Sequence, residues 1–244
     1  MRNIRLQISY DGTRYKGWQR LPGVENTIQG KLEQTLSRIL GEQVEISGSG
    51  RTDAGAHALC QVANFHFESV IPCQEILMQL RRYLPGDIGI ESCQEAAPRF
   101  HARLNCATKT YRYRVWNSES PCVFERHFVY VMPEKLDVAR MEKAAEHFIG
   151  EHDFSAFCAN KKMKKSTLRR IDSIVIKRDG HEVVFHFTGN GFLYNMVRIM
   201  VGTLLEVGQN KREPDSIPNL FGAKREQAGP LAPAQGLCLT EVTY

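Results

Sequence analysis

The dipeptide Asp179-Gly180 lies between two runs that alternate apolar and polar residues, at about 171–178 and about 181–188. Alternation with period two is the mark of a half-buried strand. Asp-Gly suits the tight turn that joins two such strands, because a type I′ turn needs positive φ at both central residues. An antiparallel hairpin is therefore expected here, and any fold proposed for the chain has to contain it.

The same patterning organises the rest of the sequence. Ile4, Leu6 and Ile8 alternate with Arg5, Gln7 and Ser9, so a strand should end at the turn pair Asp11-Gly12. Ile28, Leu32, Leu36, Ile39 and Leu40 recur at helical spacing, with Asn26 or Thr27 as the cap. Strands are expected at about 43–47 and about 60–67, and a helix at about 75–83 ahead of Pro85-Gly86. The second half opens with a strand from Thr110 to Trp116. A helix follows Asp137, with Val138, Met141, Ala144, Ala145 and Phe148 on one face. Beyond Gly189-Asn190-Gly191 a long helix carries Met196, Val197, Met200, Leu204 and Leu205 and should stop at Gly208. Residues 209–234 read as loop and short helix, and a last strand is expected at about 236–243. The class is α+β, with helices packed on sheet faces. The division expected is an N-terminal half, 1–105, and a C-terminal half, 106–244, with the boundary near 104–110.

The chain has 244 residues, seven cysteines and a net charge of +5. No run reaches the ~18 consecutive apolar residues of a membrane helix. Met1-Arg2-Asn3-Ile4-Arg5 passes into the first strand pattern without a signal-peptide core. The cysteines are odd in number and form no Cys-x-x-Cys pair, which suits a reduced, cytoplasmic protein. The positive charge is local. Residues 99–116 hold Arg99, Arg103, Lys109, Arg112 and Arg114, and residues 161–170 hold Lys161, Lys162, Lys164, Lys165, Arg169 and Arg170, with no acidic residue in either stretch. Setting these eleven aside leaves 21 basic residues against 27 acidic. Clustered Lys and Arg suit a polyanion, since neutralising phosphates releases their condensed counterions. A solvated basic face is the plain alternative.

Chemistry points to Gly48-Ser49-Gly50-Arg51-Thr52-Asp53-Ala54-Gly55-Ala56-His57, between two expected strands. Glycines permit tight turns and close backbone approach, so such a loop can hold a carboxylate beside a ligand. Arg51 is placed to pair with Asp53 and fix its rotamer. An oriented carboxylate can act as nucleophile or base. On composition alone, a polar hairpin loop with a surface ion pair fits equally.

The stretch from Gly50 to His57 resembles the signature loop of the bacterial tRNA pseudouridine synthase A family. Other blocks follow in family order over nearly the whole chain: Tyr10-Asp11-Gly12 with Gly17-Trp18-Gln19-Arg20, Leu84-Pro85-Gly86-Asp87-Ile88, Phe100-His101-Ala102-Arg103, Tyr111-Arg112-Tyr113, Gly150-Glu151-His152-Asp153-Phe154, and Phe192 with Met196-Val197-Arg198 and Val201-Gly202. The resemblance implies the pseudouridine synthase core: two ferredoxin-like (RRM-like) halves with adjoining sheets, helices on their faces and the active cleft between them. It implies a homodimer acting on tRNA, at positions 38, 39 and 40 of the anticodon stem-loop.

It also implies roles. Asp53 matches the aspartate that attacks C1′ of the ribose or C6 of the base, and either route breaks the glycosidic bond and rejoins uracil through C5. Arg51 matches the residue that pairs with the aspartate and helps extrude the base. Tyr111 matches the tyrosine that stacks on the flipped uracil, and Arg198 the arginine that anchors the aspartate. Flipping a paired base requires stacking and hydrogen bonds in return, which an aromatic face supplies. Isomerisation is redox-neutral and transfers no outside group, so neither cofactor nor metal is expected. Arg103, Arg112, Arg114, Lys161, Lys162, Lys164 and Lys165 are the expected phosphate contacts. On residue pattern alone Tyr111 shares strand parity with Tyr113 and Val115 and reads as core, and Arg198 reads as a helix residue reaching to the surface.

Two rivals come from other classes. His66-Phe67-Glu68 with Pro72-Cys73 resembles half of a zinc deaminase site, but position 76, where a second cysteine would stand, is Ile76. A non-catalytic RNA-binding protein of the same fold, or a paralogous synthase acting on another tRNA or ribosomal RNA site, remains the alternative. No RNP1-type aromatic run is present.

Overall fold

A computed structural model describes residues 1–68, 70–160 and 163–244. In chain order the elements are β1 (Arg2–Tyr10), α1 (Ile28–Leu40), β2 (Ile46–Gly48), β3 (His57–Phe67), α2 (Cys73–Tyr83), β4 (Ile88–Glu95), β5 (Thr108–Trp116), β6 (Tyr130–Val131), α3 (Val138–Glu146), β7 (Gly150–Asp153), β8 (Leu168–Asp179), β9 (Glu182–Gly189), α4 (Met196–Gly208) and β10 (Leu237–Thr243). Short 3-10 turns occupy much of 214–236. Among the described residues no helix is long and apolar enough to cross a membrane. All seven cysteines are free thiols.

The chain divides into one unit of Met1–Ala107 with Cys238–Tyr244, and a second of Thr108–Leu237. The break falls inside the expected 104–110 span. The last strand, however, does not stay wholly with the second half. β10 pairs parallel with β3 at Cys238↔His57 and Leu239↔Ala58, and the Tyr244 hydroxyl donates to the Ala102 carbonyl at 2.8 Å. Backbone pairing outweighs sequence proximity.

In the first unit β1, α1, β2, β3, α2 and β4 follow the βαββαβ order of a ferredoxin-like half. β1 lies between β3 and β4 and is antiparallel to both, while β2 adds antiparallel to β3. Ile4, Leu6, Ile8 and Tyr10 all face inward, as the alternation requires. Thr27 is the cap of α1, its hydroxyl accepting from the Gly30 N–H. α1 and α2 contribute Ile28, Leu32, Leu36, Ile76 and Leu80 to the core. The sequence pattern missed β4, because only Ile88 and Ile90 alternate before polar residues take over.

In the second unit β5, β9, β8 and β7 form consecutive antiparallel pairs, and β6 adds parallel to β5. The inward row pairs Tyr111 with Phe187, Tyr113 with Phe185 and Val115 with Val183. The expected hairpin is present, but its turn differs. Asp179 pairs with Glu182, so the two-residue loop is Gly180-His181, and only Gly180 has positive φ, at 55°. A glycine at the first loop position is the signature of a type II′ turn, not type I′. Asp137, which the expected helix follows, caps α3 by accepting from the Arg140 N–H.

α4 is apolar nearly all round, and only Arg198 and Glu206 among its thirteen residues are not buried. Such a helix belongs inside a core. The helix ends at Gly208, as expected, but not through a left-handed glycine: the left-handed position is Asn210, with φ 59°. Gly208 serves close packing instead, since a Cβ there would stand 2.8 Å from the Met141 sulfur on α3. On another side of α4, Gly202 lets the 228–232 segment approach, where a Cβ would collide with the Pro230 carbonyl. Thr203 Oγ1 accepts from the Gly229 N–H at 2.9 Å, and the Ala232 N–H donates to the Arg198 carbonyl at 3.2 Å.

This contact is backbone against backbone and cannot relax by rotating a side chain. Gly202→Ala should therefore destabilise the protein by roughly 1–3 kcal/mol, the usual cost of overpacking. Gly86→Ala, with nothing within 4 Å of the added Cβ, should stay within about 0.5 kcal/mol of wild type. Urea unfolding of both variants measures the difference.

Candidate active site

The Asp53 loop spans the interval between β2 and β3 and is held from below by the loop that follows β1. Trp18 N–H donates to the Thr52 carbonyl at 3.1 Å, and Gly55 N–H to the Tyr15 carbonyl at 3.3 Å. Ala56 N–H closes the turn on the Asp53 carbonyl at 3.1 Å. Glycine is required on the lower loop. A Cβ at Gly12 would overlap the Ala56 carbonyl, and Gly17, with φ 93°, lies 2.8 Å from the Thr52 carbonyl on the same measure. Trp18 is buried and its ring fills the space beside Gly48, so it is structural, as its position in a loop allowed. Asp53 ends half-buried on a backbone that is fixed on both sides.

Arg51, two residues before Asp53 on the same loop, is exposed.

His57, the last residue of the signature stretch, is buried. Its Nδ1 accepts from the Gly12 N–H at 3.0 Å, with Asp11 Oδ1 at 3.2 Å. Asp11 is itself engaged by the Thr13 N–H and hydroxyl. A histidine that receives a backbone N–H on one nitrogen is holding the loop in place.

The lower loop is fastened to the turn before β4 by Asp87. Asp11 N–H donates to its carbonyl at 3.0 Å, Tyr15 Oη donates to its carboxylate at 2.6 Å, and Arg14 reaches the other oxygen at 2.5 Å. Burial alone would raise the Asp87 pKa, but the hydrogen bonds from Tyr15 and Arg14 outweigh it and hold the pKa below the ordinary carboxylate value. The same burial pushes the Tyr15 hydroxyl up, so it stays a donor.

In the second unit, Tyr111 is 6% exposed and stands edge-on to Phe192, with ring centroids 5.1 Å apart. It belongs to the inward row with Tyr113 and Val115, yet Tyr113 is deeper and bonds the Pro233 carbonyl at 2.7 Å. Arg198 leaves the buried helix α4 with its guanidinium oriented: Nε donates to the Ala232 carbonyl at 2.7 Å and Nη1 to Asn195 Oδ1 at 3.2 Å. Asn195 adopts the left-handed conformation, φ 62° and ψ 9°, and its side chain makes no capping bond to α4. Asn tolerates that conformation better than most residues. No periodic signal in the sequence marks this arrangement, which depends on one backbone angle.

The expected phosphate contacts fall into groups. Arg103, Lys164 and Lys165 are exposed. Arg112 is half-buried opposite His186, and its Nε has no partner among the described residues. Burial, then Arg112 and Lys177, holds the His186 pKa below its usual value. Arg114 has another occupation. It is bidentate to Glu182, at 2.5 and 2.8 Å, and also pairs with Glu125, which satisfies its charge within the protein. Arg170 is likewise paired with Asp172. Lys161 and Lys162 lie outside the described residues. His66 ends β3 opposite Asn3, and among the described residues no group of three or more His, Cys, Asp or Glu could hold a metal ion.

This chain matches the tRNA pseudouridine synthase family model over residues 7–105 and 144–244. Over the full length of both chains it is 45% identical to tRNA pseudouridine synthase A 2 of Bacillus cereus (strain ZK / E33L) and 46% identical to tRNA pseudouridine synthase A of Bacillus sp. (strain KSM-64). The enzyme of that name from Acetivibrio thermocellus is also 46% identical over the whole of each chain. The chain belongs to the tRNA pseudouridine synthase A family. The crystal structure of a Cbf5–Nop10–Gar1 complex superposes with a TM-score of 0.38 and 13% identity, over 97% of this chain and 48% of that one, a likeness too distant to argue from.

The Asp87 clamp gives a pH-dependent prediction. A carboxylate whose pKa is lowered on folding stabilises the protein above its unfolded pKa and loses that contribution as pH falls through the folded value. Asp87→Asn should cost about 1–3 kcal/mol at neutral pH, the range for hydrogen bonds to a charged group. Its stability should also decline less steeply than wild type's on acidification, as read from urea midpoints between neutral and acid pH.

Proposed function

We propose that this enzyme isomerises uridine to pseudouridine at positions 38, 39 and 40 of the tRNA anticodon stem-loop, with Asp53 as nucleophile. The observation that carries this reading is the placement of Asp53, half-buried on a loop that two glycine contacts and three backbone hydrogen bonds hold rigid. Attack at C1′ or at C6 leads to the same balance. The N1–C1′ bond breaks, the uracil turns within the pocket, and a C5–C1′ bond forms. C5 releases its proton and N1 takes one up, so substrate and product are isomers.

The remaining roles follow the family's pattern. Tyr111 stacks on the flipped uracil and takes part in removing the C5 proton. Arg198 anchors the Asp53 carboxylate, and its fixed guanidinium supports that use. Arg51, exposed beside Asp53, assists extrusion of the base. Arg103, Arg112, Lys164 and Lys165 bind phosphates, with Lys161 and Lys162 in the same stretch, whereas Arg114 is already paired within the protein. The enzyme acts as a cytoplasmic homodimer, in keeping with the family. Action of the same fold on another tRNA or ribosomal RNA site is the reading to hold beside this one.

Unmodified tRNA transcripts with uridine at positions 38–40 should gain pseudouridine there on incubation with the purified enzyme in EDTA, mapped by chemical adduct and sequencing. Activity should fall as salt rises, because each phosphate contact contributes about −0.9 to the salt slope on a duplex. Product at other tRNA positions, or only on ribosomal RNA, would transfer the assignment to a paralogue. Tight binding without product on any RNA would favour the non-catalytic alternative.

A further inference from the structure

Beneath the Asp53 loop runs a line of polar side chains buried in what is otherwise an apolar sheet face. Tyr10, at the inner end of β1, is 5% exposed, Thr52 is 7%, Ser49 is 1% and Gln61 is 0%. The Tyr10 and Thr52 hydroxyls are 2.7 Å apart and share a hydrogen bond. Ser49 Oγ donates to Gln61 Oε1 at 2.6 Å, and Gln61 Nε2 donates to the Gly50 carbonyl at 3.1 Å. The two pairs lie under the same loop, on either side of Gly50 and Arg51. Burial drives the Tyr10 pKa up, so the phenol stays neutral and can donate.

Apolar side chains would fill this volume without the need to satisfy each polar atom. Buried polar pairs whose bonds are made instead fix a single arrangement, because each member loses its partner if the other moves. What it fixes is specific. Gln61 holds Gly50 ahead of Asp53, and Tyr10 holds Thr52 next to it. Tyr10 and Gln61 sit on β1 and β3, whose register is set by the sheet. The two pairs therefore refer the Asp53 backbone to the sheet from inside the protein, and Thr52 is the member next to Asp53 in the chain.

We infer that Tyr10, Thr52 and Gln61 are positioning residues for Asp53: they touch no reacting atom, and they set the direction in which its carboxylate points. This rests on the reading of Asp53 as nucleophile. The sequence placed Tyr10 and Thr52 inside blocks that resemble the family but gave none of the three a role, and Gln61 reads only as a polar residue in an alternating strand.

The test separates positioning from folding. Thr52→Val keeps the shape and removes the hydroxyl, Tyr10→Phe removes only the partner hydroxyl, and Thr52→Ser keeps the bond. Single-turnover pseudouridine formation on tRNA, tRNA affinity and urea stability are measured for each, with Asp53→Asn alongside. Thr52→Val and Tyr10→Phe should slow the single-turnover rate about 10- to 100-fold, the scale of a small misplacement of a reacting group. Their tRNA Kd should stay within about two-fold of wild type, because binding energy is spent elsewhere. Thr52→Ser should recover most of the rate. The Tyr10→Phe/Thr52→Val double variant should be no slower than the slower single one, since both delete the same bond.

Full rates in both single variants, with Asp53→Asn inactive, would overturn the positioning role and leave the nucleophile standing. Equal loss in Thr52→Val and Thr52→Ser, or a loss that follows Kd, would overturn it too. Turnover by Asp53→Asn would remove the nucleophile and the positioning role together.

Discussion

The approach of Gly12 to the Ala56 carbonyl is the contact on which the candidate site depends. No side chain fits between these two backbones. The strand that ends at Tyr10 must therefore turn through a residue without a Cβ at position 12, and the Asp53 loop can rest directly on it. Three consequences follow from this one constraint. Trp18 is drawn under Gly48, His57 comes within reach of the Gly12 N–H, and Thr52 is buried while Asp53 stays half-buried. A carboxylate on such a loop has little freedom to reorient. That rigidity favours a reaction in which the nucleophile must be aligned before bond breaking begins.

The second unit solves a comparable problem by different means. Arg198 is carried by a helix whose other faces are buried, so the helix cannot rotate to follow its side chain. Gly202 brings the 228–232 segment against that helix, and the segment's Ala232 carbonyl receives the guanidinium. Asn195 completes the hold from the other end of the turn by adopting a left-handed backbone. Core packing and side-chain orientation are thus one arrangement, because the glycine that lets the segment approach also fixes where Arg198 points.

Some of this is legible in the sequence, and the rest is hidden for physical reasons. Periodicity located β1, α1, β8, β9 and α4, because each buries a continuous face and needs no distant partner to be recognised. Capping chemistry narrowed the start of α1 to Asn26 or Thr27 for the same local reason, and Thr27 is the cap. Short or polar strands such as β4 and β7 depend on neighbours far along the chain and left no pattern. For β10 the strand itself was legible, but its pairing with β3 across the intervening chain was not. Charge clustering overstated the phosphate track, since spacing cannot show that Arg114 faces Glu182 on the adjacent strand. The Asp87 clamp and the Tyr10–Thr52 bond join residues tens of positions apart, which only the fold brings together.

A fixed carboxylate has still to be linked to the chemistry at uracil. Every route to pseudouridine releases the hydrogen at C5, so tRNA carrying tritium at C5 of uridine reports the reaction whichever uridine is the target. The decisive measurement is tritium release in a single turnover with enzyme in excess, for wild type and for Asp53→Asn bound to the same tRNA. With Asp53 as nucleophile, wild type releases tritium in proportion to the target uridines, and Asp53→Asn releases none above background at equal tRNA occupancy. Release by Asp53→Asn at a rate near wild type's would contradict that role.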